Sequence, residues 1–206
     1  NRIGFVICLV LLLAQSGAPI ALAQTNDPIT WTTPINLSQS GGVTASFVGL
    51  DSEGNLHAIW KNQYSGFSHR VGDGTTWQPA ERTYPPIPDD ATEYSLVITA
   101  GGRVVAFWIS ALEALYSSTV RLSEISIPNR WSAPILWDSG VRDFVLMTDN
   151  TGQPQLAYLR GTSTDKIPSG IYASRSIECV SSWSIPVIIY TSPYLQTLTA
   201  TPSHLS

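Results

Sequence analysis

Copies of one pattern, spaced by about 50 residues, run along this chain. Each copy has a tryptophan followed by a short polar stretch and an apolar run, and the tryptophans are Trp31, Trp77, Trp131 and Trp183. Their separations are 46, 54 and 52 residues. A period of this length is typical of proteins that repeat one structural unit many times. The repeat therefore limits the fold more than any other feature of the sequence.

Each copy also carries the signal of a β-hairpin. Two segments of alternating apolar residues flank a turn that is rich in Gly, Asp and Asn, residue types that tolerate left-handed backbone. The hairpins span residues 46–60, 94–108 and 143–159, and their turns are 51–54, 100–102 and 149–152. A strand that begins with an aromatic residue follows each hairpin, at 67–70, 116–119 and 172–175. Each period therefore holds four short strands.

Four antiparallel strands per period predict an all-β fold, a β-propeller of four-stranded blades. The blade repeats cover about residues 38–83, 92–137 and 142–190, and residues 194–206 begin a further blade. The composition agrees, because 43% hydrophobic and 13% charged residues suit a packed core, and 15 Gly and 14 Pro suit many tight turns. A long β-sandwich is the alternative, but it does not require landmarks that recur in phase.

The phase of the repeat predicts how the ring closes. Residues 31–37 are expected to form an outer strand that pairs with the last blade and so protects a sheet edge. About three blades do not close a ring, so we expect an N-terminal fragment of a longer protein with about three further blades.

The N-terminal residues 1–23 resemble a signal peptide. A 12-residue apolar run, 3–14, is followed by the small-residue triplet 21–23, which predicts cleavage after Ala23. The run is short for a membrane-spanning helix, so a membrane anchor is the weaker interpretation. The expected location is secreted or at the cell surface. Residues 24–206 would then be the partial propeller, in which Cys179 has no second cysteine for a disulfide.

Charge and residue spacing limit the partners and cofactors. The net charge of -4 and the absence of Lys or Arg runs argue against nucleic-acid binding. His57 and His69 have no further ligand at metal spacing, and the turns at Asp51 and Asp149 offer too few oxygens for calcium. We therefore expect no metal and no cofactor. The expected ligand is an extracellular glycan or protein.

One turn resembles a known family. In the stretch 67–77, the residues Asp73, Gly74, Thr76 and Trp77 look like a degenerate Asp-box, the turn of bacterial neuraminidase (BNR) repeats in sialidase-like β-propellers. The resemblance implies a structural turn on the face opposite the ligand site. It also implies an active site with three Arg, a Tyr–Glu pair and an Asp. The Arg-Ile-Pro motif that usually supplies the first Arg is absent from residues 24–56, which weakens the enzyme interpretation.

Propeller geometry puts the loops between blades, and those between the second and third strands, on the ligand face. The catalytic candidates there are Asp89, Asp90, Arg142 and Arg160. The ligand-binding candidates are Lys61, Tyr64, Glu93, Glu113 and Asp165, and Asn62, Asp138 and Lys166 are expected on the same face. The leading hypothesis is a sialidase-like propeller that recognises glycans or another extracellular ligand. An exo-α-sialidase or related glycoside hydrolase is the alternative, and a structural repeat spacer of a larger surface protein is the second.

Overall fold

A computed structural model describes residues 33–177 and 182–191. The chain divides into two units, Asn1–Ile35 and Asn36–Ser206. Of the first unit only residues 33–35 are described, and they form no strand. The signal-peptide region 1–23, Cys179 and the predicted fourth-blade residues 194–206 all lie outside the described residues.

The second unit is all-β. Its strands are β1 Val43–Leu50, β2 Leu56–Asn62, β3 Gly66–Gly72, β4 Glu81–Thr83, β5 Glu93–Ile98, β6 Arg103–Ile109, β7 Ala114–Arg121, β8 Ile135–Ser139, β9 Val141–Thr148, β10 Pro154–Arg160, β11 Gly170–Arg175 and β12 Val187–Thr191. One 3-10 turn, Leu122–Glu124, is the only helical element in the described part of the chain. No helix among these residues is long and apolar enough to cross a membrane.

The strands form three four-stranded antiparallel sheets in chain order: β1 to β4, β5 to β8, and β9 to β12. Each sheet is a simple meander, and the first strands β1, β5 and β9 of successive sheets are in contact. This is the arrangement of consecutive propeller blades around a common centre. The predicted all-β propeller fold is thus confirmed, and we refer to the sheets as blades 1, 2 and 3.

The inner hairpin of every blade closes with the same turn. Asp51 Oδ1 accepts hydrogen bonds from the backbone N–H groups two and four residues later, at 2.9 and 2.8 Å. Asp149 Oδ1 does the same at 2.9 and 3.0 Å, and in blade 2 the hydroxyl of Thr99 accepts from the N–H of Arg103 at 3.2 Å. The three turns have glycines with positive φ, Gly54, Gly102 and Gly152. The hairpins predicted from these turns are confirmed, as is the aromatic third strand of each blade.

Two apolar cores lie between the blades. In the first, Phe47 and Ile59 of blade 1 pack against Leu96 and Ile98 of blade 2. In the second, the fully buried Phe107 of blade 2 meets a set of aromatic rings, those of Trp137, Phe144 and Trp183, with ring centroids 5.1, 6.3 and 5.5 Å away. Since each blade has a neighbour-facing apolar side, the repeat is stabilised mainly through contacts between blades.

The turn that resembles an Asp-box connects β3 to β4. Asp73 Oδ1 accepts hydrogen bonds from the N–H groups of Thr75 and Thr76, at 2.8 and 2.6 Å. These bonds hold the pKa of Asp73 below its usual range, with the bond from Thr76 making the largest contribution. Gly74 has a φ of 91°, and Trp77 pairs with Gly72 through an isolated β-bridge. The four residues Asp73, Gly74, Thr76 and Trp77 therefore act together as a structural turn.

The outer strand predicted at 31–37 is wrong for its described part, because residues 33–37 contain no strand. A strand needs a partner for its backbone groups, and none of the described strands pairs with these residues. Trp31 lies outside the described residues, and the first strand of blade 1 begins at Val43.

Candidate functional site

The loops that join the second and third strands of a blade, and those that join one blade to the next, emerge at the same end of the blades. We call this the connector end, and it comprises residues 63–65, 84–92, 110–113, 140 and 161–169. The meander explains its position, because each strand reverses direction and so alternate loops share an end. The strand ends that border these loops carry most of the predicted site residues.

A buried pair of carboxyl groups connects blades 2 and 3 at the connector end. Glu93 is the first residue of β5 and Asp143 lies near the start of β9, and their side chains share a hydrogen bond. Asp143 is only 2% exposed. Burial, then the charge of Asp143 and the shared hydrogen bond, raise the pKa of Glu93 to about 7. The pair therefore holds one proton near neutral pH.

The next pair at the connector end joins Arg142 to Glu113. Arg142 Nε lies 3.7 Å from a carboxylate oxygen of Glu113, and the N–H of Val141 donates to the carbonyl oxygen of Glu113 at 2.8 Å. Glu113 lies in the β6–β7 turn and has a φ of 56°, which is a left-handed backbone conformation. The guanidinium also lies against Gly161, where a side chain would collide with it. Blade 2 and blade 3 thus clamp Arg142 from two sides.

A third pair lies deeper, between Asp138 and Arg160. Arg160 is 2% exposed, its Nη1 contacts Asp138, and its Nε donates to the carbonyl oxygen of Thr162 at 2.8 Å. Asp138 also shares a hydrogen bond with Tyr158, whose pKa is raised by burial and by the charge of Asp138. Because its guanidinium is buried against a carboxylate, Arg160 supports the fold of this end of the blades.

Lys61 of blade 1 places a cation at the connector end. Lys61 Nζ lies 3.7 Å from Asp89 and sits over two rings, at 5.6 Å from the centroid of Phe67 and 5.2 Å from that of Tyr94. The rings and the carboxylate hold the ammonium group in place. Tyr64 in the following turn is 85% exposed, so one face of its ring is available for contact.

The structure also places the remaining predicted residues. Asp90, Asp165 and Lys166 are exposed on connector-end loops. Asn62 is buried, donates to Ser40 Oγ at 2.6 Å and accepts from the N–H of Tyr64 at 2.9 Å. Asn62 therefore shapes the turn that presents Tyr64.

Sequence patterns missed two groupings. The sequence patterns identify Asp143 only as part of a predicted strand. A carboxylate in an otherwise apolar inner strand is uncommon, and this could have indicated a functional residue. His57 and His69 were each treated as solitary, but His57 Nδ1 lies 2.9 Å from His69 Nε2 and the rings are parallel. Among the described residues, no group of three or more His, Cys, Asp or Glu side chains is placed to hold a metal ion.

The chain is similar in structure to several solved glycoside hydrolases. A Hadza microbial sialidase, Hz136, is 11% identical, with a TM-score of 0.46, over 71% of this chain and 37% of that one. An α-L-arabinofuranosidase from Podospora anserina in complex with cellotriose is 13% identical, with a TM-score of 0.43, over 70% and 49%. A GH62 hydrolase in complex with xylotriose is 13% identical, with a TM-score of 0.41, over 65% and 48%. This chain thus spans less than half the length of each.

No protein-family model matches this chain, and no curated protein matches it.

Proposed function

We propose that this chain belongs to an exported β-propeller that binds a carbohydrate at its connector end, around the Glu93–Asp143 pair. The observation that supports this proposal is the hydrogen-bonded pair of carboxyl groups where two blades meet, in which Asp143 is buried and Glu93 is partly buried. Carboxyl groups that are buried together raise the free energy of the folded state unless they share a proton. A carboxyl group whose pKa is perturbed by partial burial and by a second carboxyl group marks a candidate functional site.

The surrounding groups suit a ligand rich in hydroxyls. Binding sites for small ligands combine a few well-placed polar groups with aromatic surface. The Arg142–Glu113 pair offers both donors and acceptors at the same end of the blades as Glu93, and the exposed ring of Tyr64 offers an apolar face at this end of blade 1. A sugar ring presents the same combination of hydroxyls and apolar C–H faces.

The proposal is tested with a glycan array and isothermal titration calorimetry on the whole protein. Glu93→Gln is expected to weaken binding of any captured glycan by about two- to tenfold, because a hydrogen bond between neutral groups contributes roughly 0.5–1.5 kcal/mol. Glu53→Gln is the matched control, since Glu53 lies in an inner-hairpin turn at the opposite end of blade 1. Binding that survives Glu93→Gln unchanged would place the ligand elsewhere. An array with no captured glycan would favour a protein ligand or a structural spacer.

A second candidate function is glycoside hydrolysis, and the protonated carboxyl pair favours it. A carboxyl group whose pKa is about 7 can act as a general acid near neutral pH. Glycosidases need a second carboxyl group at about 5–5.5 Å or about 6.5–9.5 Å from the acid. Asp143 is hydrogen-bonded to Glu93 and so is too close for that role. Glu113, in the β6–β7 turn at the same end of blade 2, is the candidate for the partner carboxylate.

Hydrolysis is tested with aryl glycosides of different sugars over a range of pH. If Glu93 is the acid, the rate falls as pH rises through about 7, and Glu93→Gln abolishes turnover of substrates with poor leaving groups. Glu113→Gln should lower the rate independently. An active Glu93→Gln variant with an unchanged pH profile would exclude Glu93 as the acid.

Export is part of the proposal and has its own test. The signal-peptide pattern at 1–23 supports it. N-terminal sequencing of protein recovered from the medium is expected to begin at Gln24. Retention of residues 1–23 on a cell-associated protein would favour a membrane anchor instead.

A further inference from the structure

A hydrogen-bonded chain of three side chains lies within blade 1, outside the connector end. Asp51 Oδ2 is 3.1 Å from His57 Nε2, and His57 Nδ1 is 2.9 Å from His69 Nε2. The imidazoles are 5% and 7% exposed. With Asp51 as acceptor, His57 donates from Nε2 and its Nδ1 accepts the proton of His69. The carboxylate of Asp51 thus determines which nitrogen donates and which accepts in both hydrogen bonds.

Both imidazoles lie on the face of blade 1 that packs against blade 2. His69 is directly paired with Ile59, which is paired in turn with Phe47, and Ile59 and Phe47 belong to the core between the blades. His57 is directly paired with Gly49, and a Cβ added to Gly49 would lie 2.9 Å from Ile98 Cβ of blade 2.

Counting protons shows what this arrangement tolerates. With one proton added, His57 can donate from both nitrogens, to Asp51 and to His69. The hydrogen bond between the two rings is then kept, with His57 as donor and His69 as acceptor. With a second proton added, His57 Nδ1 and His69 Nε2 both carry hydrogen, so neither can accept. Two like charges then face each other across 2.9 Å in a buried position.

We propose that Asp51, His57 and His69 form an acid-sensitive latch within blade 1, on the face that packs against blade 2: it keeps its hydrogen bonds with zero or one added proton and opens when the second proton binds. The charged groups around it are carboxylates of blade 1, Asp51 and Glu53 in the turn and Glu81 beside His69 on β4. The packed face of blade 2 presents apolar side chains from β5 and β6, which cannot solvate the second charge.

The acidity of His69 agrees with this device. Burial and the charge of His57 lower the pKa of His69 to about 4, and the nearby Glu81 opposes the effect. Since the pKa of His69 in the folded protein lies below its usual value of 6.5, the stability due to neutral His69 is present above pH 6.5. That stability is lost as pH falls through about 4.

Blade 3 provides a natural control for the latch. Its inner turn has the same geometry, but Gln155 Nε2 donates to Asp149 Oδ2 at 3.1 Å where His57 contacts Asp51. The position equivalent to His69 is Ala173, since Ala173 pairs with Ala157 as His69 pairs with Ile59. The turn therefore forms without histidine, and the imidazole pair adds proton dependence that the turn does not need.

The test is amide hydrogen exchange of the whole protein between pH 7 and pH 3, corrected for the intrinsic rate of exchange. We expect β1, β2 and β3 to lose protection at a higher pH than the strands of blades 2 and 3. His57→Gln copies the turn of blade 3, and it should move the acid midpoint of blade 1 to lower pH. Simultaneous loss of protection in all three blades, or an unchanged midpoint in His57→Gln, would overturn the proposal.

A transplant keeps the proposal testable if His57→Gln does not fold. Gln155→His combined with Ala173→His builds the same pair on blade 3. This double variant should lose protection in β9, β10 and β11 at a higher pH than the wild type does, whereas Gln155→His alone should not. Equal acid sensitivity of the single and double variants would show that one buried histidine is sufficient and that the paired latch is not the cause.

Discussion

Replacing Glu93 by Gln is expected to remove a pH dependence from the free energy of unfolding. In the folded protein, burial and the neighbouring Asp143 raise the pKa of Glu93 from its usual value of 4.5 to about 7. A carboxyl group with a raised folded-state pKa stabilises the protein fully below its unfolded value. This stability is lost as pH rises from 4.5 through about 7. Gln cannot titrate but can still donate to Asp143.

The magnitude follows from the size of the pKa rise. Each tenfold change in proton affinity corresponds to about 1.4 kcal/mol, so the full rise would cost roughly 3 kcal/mol above pH 7. Glu93 is only partly buried, and solvent screening reduces this figure. We therefore expect the wild type to lose about 1–2 kcal/mol relative to Glu93→Gln between pH 5 and pH 8.

The assay is urea unfolding of both proteins at half-unit steps of pH, with tryptophan fluorescence as the readout. The difference between the two unfolding free energies removes the contributions of all other titrating groups. Glu113→Gln is the control, since it removes a carboxylate from the same end of the blades without touching the Glu93–Asp143 bond. If wild type and Glu93→Gln show parallel pH dependence, the two carboxyl groups do not share a proton.

Four further substitutions, at three positions, test packing between blades and at the connector end. Urea unfolding should show that Phe107→Ala lowers the unfolding free energy by about 3–5 kcal/mol and Phe107→Leu by about 1 kcal/mol, because the ring fills the core between blades 2 and 3. Equal losses of unfolding free energy in the two variants would contradict that packing. Gly49→Ala should cost about 1–3 kcal/mol in the same assay, since its Cβ would lie 2.9 Å from Ile98 Cβ, and a neutral effect would mean that the inner strands are further apart. Gly140→Ala should cost at least about 1–2 kcal/mol, because φ is 70° and the new methyl group would collide with Thr162. Calorimetry should also show weaker ligand binding for Gly140→Ala than for Gly49→Ala, because Gly140 lies at the connector end. The reverse order would mean that the ligand does not bind at the connector end.

The strands that sequence patterns predicted best are those that local chemistry specifies. Each inner hairpin combines alternating apolar residues with a turn whose Asp or Thr side chain bonds the backbone of the same turn. Such information lies within about ten residues of chain. The strand expected at 31–37 differs, because an outer strand exists only where a partner from another part of the fold reaches it.

The candidate site was predicted as a region rather than as a set of contacts. Patterns placed Glu93, Glu113, Arg142 and Arg160 at one end of the blades, which is where the structure has them. Patterns did not reveal that both arginines already face carboxylates. That pairing depends on how blade 3 is rotated against blade 2, and no local rule specifies such a rotation.

The two histidines show the same division between local and tertiary information. Alternation and turn residues along the chain determined the repeat, the hairpins and the all-β class, because backbone hydrogen bonding and side-chain alternation act over a few residues. The register of β2 on β3 decided that His57 meets His69, and the packing of successive blades decided that Glu93 meets Asp143. Burial then lowered the pKa of His69 and raised the pKa of Glu93, so that both differ from the values of the free amino acids. Proton affinity depends on the dielectric and charge around a group, and only the folded chain supplies both.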